Sequence, residues 1–403
     1  MRCTFGGSRK SMQKFCASKT LIFCTIALFL TTYTFIGNPW KQVFSHEPLY
    51  ALGTKLVRND TEMETSMVSH PLRHPTSSNH TGVNILLYWT DRQDRPVFYN
   101  GLGQKSFSGC PVKNCLTTKN RTWLRQARAV LFHGMHMNAT DLPEHRRQDQ
   151  QFVFYLREAP TFHYLLKINP LNSLDYFFNM TMTYHRHADV FSPYATTVAG
   201  KQKGELPEFS KRVRAAAWMV SHCSTHSKRE RYVQKLARHL VVDIYGKCGT
   251  LKCPSDQGGK KNKLACYRNM AASHFFYLSF ENGLCEDYIT EKFWHALQAG
   301  IVPVVRGAPP ESYRRVAPPN SFIHVQDFAS VQLLATYLTS LMENRTAYES
   351  YFAWRSSYQV SWYPDFCHLC AYVSRKQPTK SVKISEVWGI DRSCVRPDIA
   401  DKE

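Results

Sequence analysis

One stretch limits the fold of this chain more than any other: Phe275–Arg306, FFYLSFENGLCEDYITEKFWHALQAGIVPVVR. It opens with the apolar, aromatic run Phe275–Phe280, and this length and composition predict a buried strand. A polar loop follows, then a helix with Thr290 as the predicted N-cap and Gly300 as the stop. Ile301–Val305 is a second predicted buried strand. Strand, loop, helix and strand in this order form the crossover unit of a parallel sheet.

The polar residues of this stretch gather at the start of the predicted helix. They are Asn282, Tyr288, Thr290, Glu291 and Lys292. Parallel sheets bind ligands at this edge, where a helix N-terminus and Lys292 would attract phosphate. Glu291 would repel phosphate, and it suits the hydroxyls of a sugar or ribose better. The pattern alone also fits a capped helix with a solvated Glu–Lys pair.

The same residues carry a family resemblance. SFENGLCEDYITEKFWHALQAGIVPVV closely resembles the donor-site signature of the α1,3-fucosyltransferases of glycosyltransferase family 10, which are inverting enzymes that use GDP-fucose. In that family the signature runs SFENS, a short gap and DYITEK, and here Gly283 replaces the usual Ser. The match extends more loosely from about Ile85 to Cys370 and looks like an invertebrate Golgi member. It implies an α/β fold with two Rossmann-like domains facing across a cleft, the glycosyltransferase B type.

The length of 403 residues predicts two domains with extensions. We expect six segments: a cytosolic tail (1–20), a transmembrane signal-anchor (21–37), a stem (38–80), an N-terminal acceptor-side α/β domain (81–205), a C-terminal GDP-fucose-binding α/β domain (206–360), and a C-terminal Cys-containing tail that packs back (361–403). Buried strands are predicted in both α/β domains, at Asn84–Trp89, Val130–His133, Phe152–Leu156, Met180–Tyr184, Ala216–Ser221, Val241–Tyr245 and Ser321–Val325. Helices are predicted at Ser227–His239 and after Ser330.

The N-terminal segment has the charge pattern of a membrane anchor. Five basic and no acidic residues precede Leu21–Ile36, an uncharged run. That run is short for a spanning helix, which needs about 20 residues, so a cleaved signal peptide is the alternative. No small-x-small cleavage site follows cleanly, and this favours the anchor. The basic flank predicts a cytosolic N-terminus, and the short span suits early secretory membranes. We therefore expect a single-pass type II protein of the Golgi membrane, with its catalytic region in the lumen.

Sequons and cysteines agree with a lumenal chain. The predicted glycosylation sites are Asn59, Asn79, Asn120, Asn138, Asn179 and Asn344. Ten of the thirteen cysteines follow the uncharged run. Cys367 and Cys370 could form half of a zinc site with Cys110 and Cys115, but disulfides suit an oxidising lumen better. The family resemblance implies that the pair Cys110 and Cys115 bridges to the pair Cys367 and Cys370.

The net charge of +20 raises nucleic acid as a partner, but Lys and Arg are scattered and form no arginine-rich tract. We therefore expect no nucleic-acid partner. The chain has no Asp-x-Asp motif, with which many sugar-nucleotide transferases hold a metal. A donor diphosphate would then be neutralised by Lys, Arg and helix N-termini. We expect no required cofactor and no protein metal site, and we leave stimulation by Mn2+ open.

The candidate general base is Glu158, which follows the strand-like FVFYL run. Inverting transfer needs one base, and a carboxylate just past a buried strand lies where a cleft residue should. The family has its proposed base at a matching position. An Arg157–Glu158 surface pair is the alternative.

Two further segments resemble family motifs. Ser221 and Arg229 match a run in which the Arg contacts the donor diphosphate, although His222 replaces the usual Asn. A solvated basic face is the alternative for Arg229. Tyr184, Arg186 and Asp189 match a second run, which we expect either to line the floor of the cleft or to serve a structural role.

These observations together predict an inverting α1,3-fucosyltransferase that moves L-fucose from GDP-β-L-fucose to N-acetylglucosamine of glycoprotein glycans. The alternatives are a protein O-fucosyltransferase and a catalytically inactive Golgi lectin-like protein of the same fold. The expected partners are GDP-fucose, a glycan acceptor and the membrane, through the N-terminal helix.

Overall fold

The computed structural model describes residues 82–90, 98, 100–161, 171–253, 263–375, 380–389 and 393–397. The predicted tail (1–20), anchor (21–37) and stem (38–80) lie outside these residues. None of the helices formed within the described ranges is long and apolar enough to cross a bilayer.

The first sheet has six strands, all parallel, in the spatial order β2-β1-β3-β4-β5-β6. Its strands are β1 (Asn84–Tyr88), β2 (Cys115–Thr118), β3 (Ala129–His133), β4 (Gln151–Leu156), β5 (Met180–Thr183) and β6 (Val190–Phe191). Neighbours such as Leu86 and Leu87 are both fully buried, in different apolar clusters. Both faces of the sheet are therefore covered, and this explains why its strands are continuous apolar runs.

The second sheet has five strands, also parallel, in the order β12-β11-β10-β8-β9. An antiparallel ribbon of two strands, β7 and β13, is separate from both sheets. The bounds are β7 (Ala195–Ala199), β8 (Arg214–Met219), β9 (Val242–Tyr245), β10 (His274–Phe280), β11 (Val302–Arg306), β12 (Ile323–His324) and β13 (Tyr358–Trp362). The α/β class is thereby confirmed, while two separate domains across a cleft remain a prediction.

The described helices belong to the second half of the chain. They are α1 (Arg229–Leu236), α2 (Lys263–Ser273), α3 (Glu291–Ala299), α4 (Pro310–Val316), α5 (Val331–Glu343), α6 (Arg345–Ser350), α7 (Asp365–Val373) and α8 (Ile384–Val387). As predicted, Ser330 caps α5, because its hydroxyl accepts a hydrogen bond from the Leu333 amide at 3.2 Å. The described connections of the first sheet include four 3-10 turns, at Gln104–Phe107, Arg121–Arg125, Gly134–His136 and Leu171–Leu174.

Several predicted boundaries were wrong by a few residues. The helix predicted at Ser227–His239 begins only at Arg229, because Lys228 has a left-handed backbone with φ +50°. The strand predicted at Ser321–Val325 is shortened to Ile323–His324, since Val325 already starts a 3-10 turn.

Five disulfides tie the described residues together. They are Cys110–Cys367, Cys115–Cys370, Cys223–Cys248, Cys253–Cys266 and Cys285–Cys394. The first two join the pairs that the resemblance implies, and they hold α7 against the first sheet. Because Cys367 and Cys370 are each bonded to another sulfur, neither is a free thiolate for zinc.

One predicted glycosylation site does not fit the folded chain. Asn179 is only 2% exposed, and its amide nitrogen donates to the carbonyl oxygen of Lys380 at 2.9 Å. A glycan would be attached to this same nitrogen, and it would have no route to solvent. Asn120, Asn138 and Asn344 are exposed, whereas the first two predicted sites, Asn59 and Asn79, lie outside the described residues.

Candidate functional site

A buried carboxylate forms the centre of the candidate site. Glu281 follows β10 directly and is 0% exposed. Its oxygens accept hydrogen bonds from the Thr290 amide at 2.8 Å, the Thr290 hydroxyl at 2.9 Å and the Lys292 ammonium at 3.1 Å. The Lys292 ammonium also donates to the Thr290 hydroxyl at 2.7 Å. The end of β10 and the start of α3 are thus joined through one carboxylate.

Thr290 differs in detail from its prediction as an N-cap. It occupies the position before α3, but its side chain makes no capping hydrogen bond to the helix. The hydroxyl turns to Glu281 instead, because an unpaired buried carboxylate would be costly. Glu281 itself was missed from the sequence. The available signal was a carboxylate placed immediately after a strand that is buried along its whole length.

Lys292 lies between two carboxylates. Its ammonium is 3.1 Å from Glu281 and 3.7 Å from Glu291. Burial alone would lower the pKa of Lys292, but Glu281 and Glu291 together raise it above its ordinary value. Burial raises the pKa of Glu281, against the pull of Lys292. Burial would also raise the pKa of Glu291, but Lys292 and Lys263 hold it below its ordinary value. The ammonium therefore stays charged and fixed in direction.

Arg229 is buried beside this cluster rather than on a solvated basic face. It is 4% exposed, and its guanidinium donates to the carbonyl oxygen of Phe280 at 2.7 Å and more weakly to that of His222 at 3.4 Å. Burial lowers the pKa of Arg229, and Glu281 opposes this. Ser221, which matched the same motif, is exposed at the end of β8. The structure thus brings Arg229 to the cluster and leaves Ser221 at the surface.

Glu158 is joined by a hydrogen bond to the signature loop, the segment 281–290 between β10 and α3. The Tyr288 hydroxyl donates to Oε2 of Glu158 at 2.8 Å. Tyr288 is 1% exposed, whereas Glu158 is only partly buried just beyond β4. Burial raises the pKa of Tyr288 well above its ordinary value, and the Glu158 carboxylate adds to the rise. The loops that follow β4 and β10 therefore meet at these two side chains.

Gly283 permits the same two loops to touch. A Cβ atom at this position would lie 2.7 Å from the Thr161 hydroxyl and 3.2 Å from the Cβ of Ala159. A larger residue would require the Thr161 side chain to shift. The neighbouring Asn282 has a buried side-chain oxygen that finds no hydrogen-bond partner among the residues that the structure describes. That oxygen could accept a hydrogen bond from a ligand hydroxyl.

In the motif run of Tyr184, Arg186 and Asp189, the first two residues contact the signature loop and the third supports the first sheet. Arg186 binds Asp287 through its Nε at 3.0 Å and its Nη2 at 2.8 Å, and the Tyr184 ring lies 4.9 Å from that of Tyr288. Asp287, another residue missed from the sequence, also pairs with Arg315 at 3.6 Å. By contrast, the Asp189 carboxylate accepts a hydrogen bond from the Thr181 amide at 2.9 Å and pairs with Lys380. These contacts hold β5 and its following turn.

The geometry can support group transfer. The partly buried Glu158 carboxylate lies within electrostatic reach of Lys292 at the start of α3, and Arg229 is buried at the start of α1. A carboxylate suits proton removal, and fixed cations suit an anionic leaving group. Over the described part of the chain, no group of three or more His, Cys, Asp or Glu side chains could hold a metal ion.

Comparison with known proteins covers both halves. A family profile described as fucosyltransferase, N-terminal matches residues 81–195, and one described as glycosyltransferase family 10 (fucosyltransferase) C-term matches residues 209–388. The chain is 36% identical over 290 residues to alpha-(1,3)-fucosyltransferase C of Drosophila melanogaster, which covers 65% of each protein. It is also 36% identical over 310 residues to the 4-galactosyl-N-acetylglucosaminide 3-alpha-L-fucosyltransferase of Pongo pygmaeus, covering 74% of this chain and 81% of that protein. A crystal structure of an alpha1,3-fucosyltransferase with GDP-fucose is similar over 76% of this chain and 95% of that chain, with 13% identity and a TM-score of 0.49.

Proposed function

This chain belongs to glycosyltransferase family 10, the fucosyltransferases, and on that premise we propose that it is an inverting α1,3-fucosyltransferase. It transfers L-fucose from GDP-β-L-fucose to N-acetylglucosamine of glycoprotein glycans. The name of the Pongo pygmaeus relative supports this acceptor, because it describes 3-alpha transfer to a 4-galactosyl-N-acetylglucosaminide.

The proposal rests on one observation: the Tyr288 hydroxyl of the signature loop donates a hydrogen bond of 2.8 Å to Oε2 of Glu158. In the proposed reaction Glu158 takes the proton of the acceptor hydroxyl. The acceptor oxygen attacks C1 of fucose from the face opposite GDP. The bond from C1 to the phosphate oxygen breaks, and its electron pair leaves with GDP. One base on one side and one leaving group on the other give inversion.

The leaving GDP gains negative charge, and the cluster around Glu281 provides the counter-charge. Lys292, Arg229 and the helix start at Thr290 would face the diphosphate. Glu291 and Asn282 would bind hydroxyls of fucose and ribose. Because Lys292 is already shared by two carboxylates, its contribution is mainly a charge fixed in place before the donor arrives. Protein cations would make a metal unnecessary, and activity measured with EDTA and with Mn2+ tests this.

We also propose a Golgi location with the body of the protein in the lumen. The uncharged run Leu21–Ile36 after a basic tail supports an anchor. The five disulfides support an oxidising compartment, because such bonds are rare in reducing ones.

Transfer to an acceptor glycan array with labelled GDP-fucose tests the activity, and Glu158→Gln tests the base. The substitution keeps size and removes the proton acceptor, so turnover should fall about 10²–10⁴-fold while GDP-fucose affinity changes little. Glu144→Gln, at an exposed carboxylate elsewhere on the first half, is the control. Near wild-type turnover in Glu158→Gln would place the base elsewhere. A wild-type protein that neither transfers fucose nor hydrolyses GDP-fucose would favour the lectin-like alternative, and transfer only to protein hydroxyls would favour the O-fucosyltransferase.

A further inference from the structure

Tyr288 stands in the signature beside residues expected to bind the donor, but its hydroxyl is turned to Glu158, the proposed base. Among the residues that the structure describes, this hydroxyl donates one hydrogen bond, to Oε2 of Glu158 at 2.8 Å, and the side chain is 1% exposed. We propose that Tyr288 is a positioning residue that holds the Glu158 carboxylate so that Oε1 faces the acceptor hydroxyl. This inference rests on the proposed function and deepens it.

Tyr288 is well suited to hold another group because it is itself fixed. Its ring packs 4.9 Å from that of Tyr184, and its amide donates to the carbonyl oxygen of Cys285 at 3.2 Å. Cys285 is bonded to Cys394, and the intervening Asp287 is bound by Arg186. The loop is therefore tied at two residues before the phenol, and Thr290, two residues after it, is bound to Glu281. A rigid supporting group makes a catalytic side chain precise.

The phenol also remains a donor throughout the reaction. Because burial and the neighbouring Glu158 raise the pKa of Tyr288, it keeps its proton at neutral pH. That single proton is committed to Oε2. Within the described ranges Oε1 accepts no hydrogen bond, so it is the oxygen that can take the acceptor's proton. During transfer the acceptor's O–H bond breaks, its proton moves to Oε1, and the phenolic proton stays on Tyr288.

A hydrogen bond to the carboxylate lowers its basicity, so the contact helps only if orientation is worth more than the lost basicity. Orientation can be worth that much, because a small misplacement of a reacting group costs large factors in rate. A buried hydroxyl committed to Glu158 is also poorly placed to contact fucose. The proposed role on the acceptor side and the expected contact of Tyr288 with a donor hydroxyl therefore make opposite predictions for donor affinity.

Tyr288→Phe tests the inference, because it removes the hydroxyl and keeps the ring. We expect kcat to fall about ten- to a hundredfold, the size of a hydrogen bond to a charged group. The GDP-fucose Kd should change by less than about twofold, since no donor contact is lost. Tyr313→Phe is the matched control: this tyrosine is 0% exposed and its hydroxyl has no partner within the described residues, so kcat should not change.

The decisive comparison is made in the Glu158→Gln background. If Tyr288 acts through Glu158, adding Tyr288→Phe there should cause little further loss, because effects of residues that work as a unit are not additive. Independent losses in the double variant would overturn the inference. So would an unchanged kcat with weakened GDP-fucose binding in Tyr288→Phe, which would make Tyr288 a donor ligand.

The inference can fail separately from the proposed function. If Glu158→Gln is inactive while Tyr288→Phe keeps its kcat, only the inference fails; if Glu158→Gln keeps its turnover, the proposed base fails. Should Tyr288→Phe not fold, 3,5-difluorotyrosine at position 288 keeps the ring and the hydroxyl but makes a stronger donor. It should change kcat by at least about threefold at constant donor affinity. An unchanged kcat would overturn the inference.

Discussion

The pair formed by the buried Glu281 and the partly buried Lys292 makes a prediction about stability that can be worked out from its contacts. Lys292→Met leaves a carboxylate that is 0% exposed with only the two Thr290 donors. Removing one partner of a buried pair typically costs about 3–5 kcal/mol, and the remaining donors favour the lower end, about 3 kcal/mol. Glu281→Gln leaves Lys292 with Glu291 at 3.7 Å, so we expect the loss of one charged hydrogen bond, about 1.5–3 kcal/mol.

The double variant Glu281→Gln/Lys292→Met distinguishes a coupled pair from two independent residues. In the double variant neither charge is left without its partner. The double variant should therefore lose less stability than the sum of the two single losses, by at least about 1 kcal/mol. Urea unfolding followed by circular dichroism gives each free energy. The compact unit Ser77–Glu403 should have an unfolding entropy of about 0.7 kcal/mol/K, so Lys292→Met should lower Tm by about 4 °C.

An exposed ion pair provides the control for this cycle. Lys211 and Glu208 are 2.9 Å apart, but their side chains are 69% and 64% exposed. The cycle Lys211→Met with Glu208→Gln should show no measurable coupling, because water screens the pair. If the losses at Glu281 and Lys292 simply add, the buried carboxylate does not hold the lysine and the argument from burial is refuted.

Two further predictions follow from the covalent features of the chain. Asn179→Gln should leave the gel mobility of the protein expressed in animal cells unchanged, both before and after endoglycosidase, because the folded chain buries this nitrogen. A shift to lower mass in this variant alone would contradict that. Alkylation without reductant should leave Cys367 and Cys370 unlabelled, and mass spectrometry should find them linked to Cys110 and Cys115. Free thiols with bound zinc would exclude the disulfides.

The sequence determined the local elements well wherever one pattern decides them. The apolar run Phe275–Phe280 predicts a strand, and the strand spans His274–Phe280. Gly300 was expected to end the helix, and it does so with φ +77°, a conformation that glycine adopts readily. These features depend on composition and spacing within a few residues, which the sequence displays directly. The family resemblance rests on the same stretch.

Tertiary structure decided which distant side chains meet. Glu158 and Tyr288 are 130 positions apart, and their hydrogen bond exists because two separate sheets end at the same place. Asn179 matches a sequon as well as Asn120 does, yet only the fold buries it. A local pattern reports the period and polarity of one segment, while burial and partners depend on the segments packed against it. The sequence therefore determined the elements and the family, and the fold alone determined that Glu281 would be buried against Lys292 and that Tyr288 would donate a hydrogen bond to Glu158.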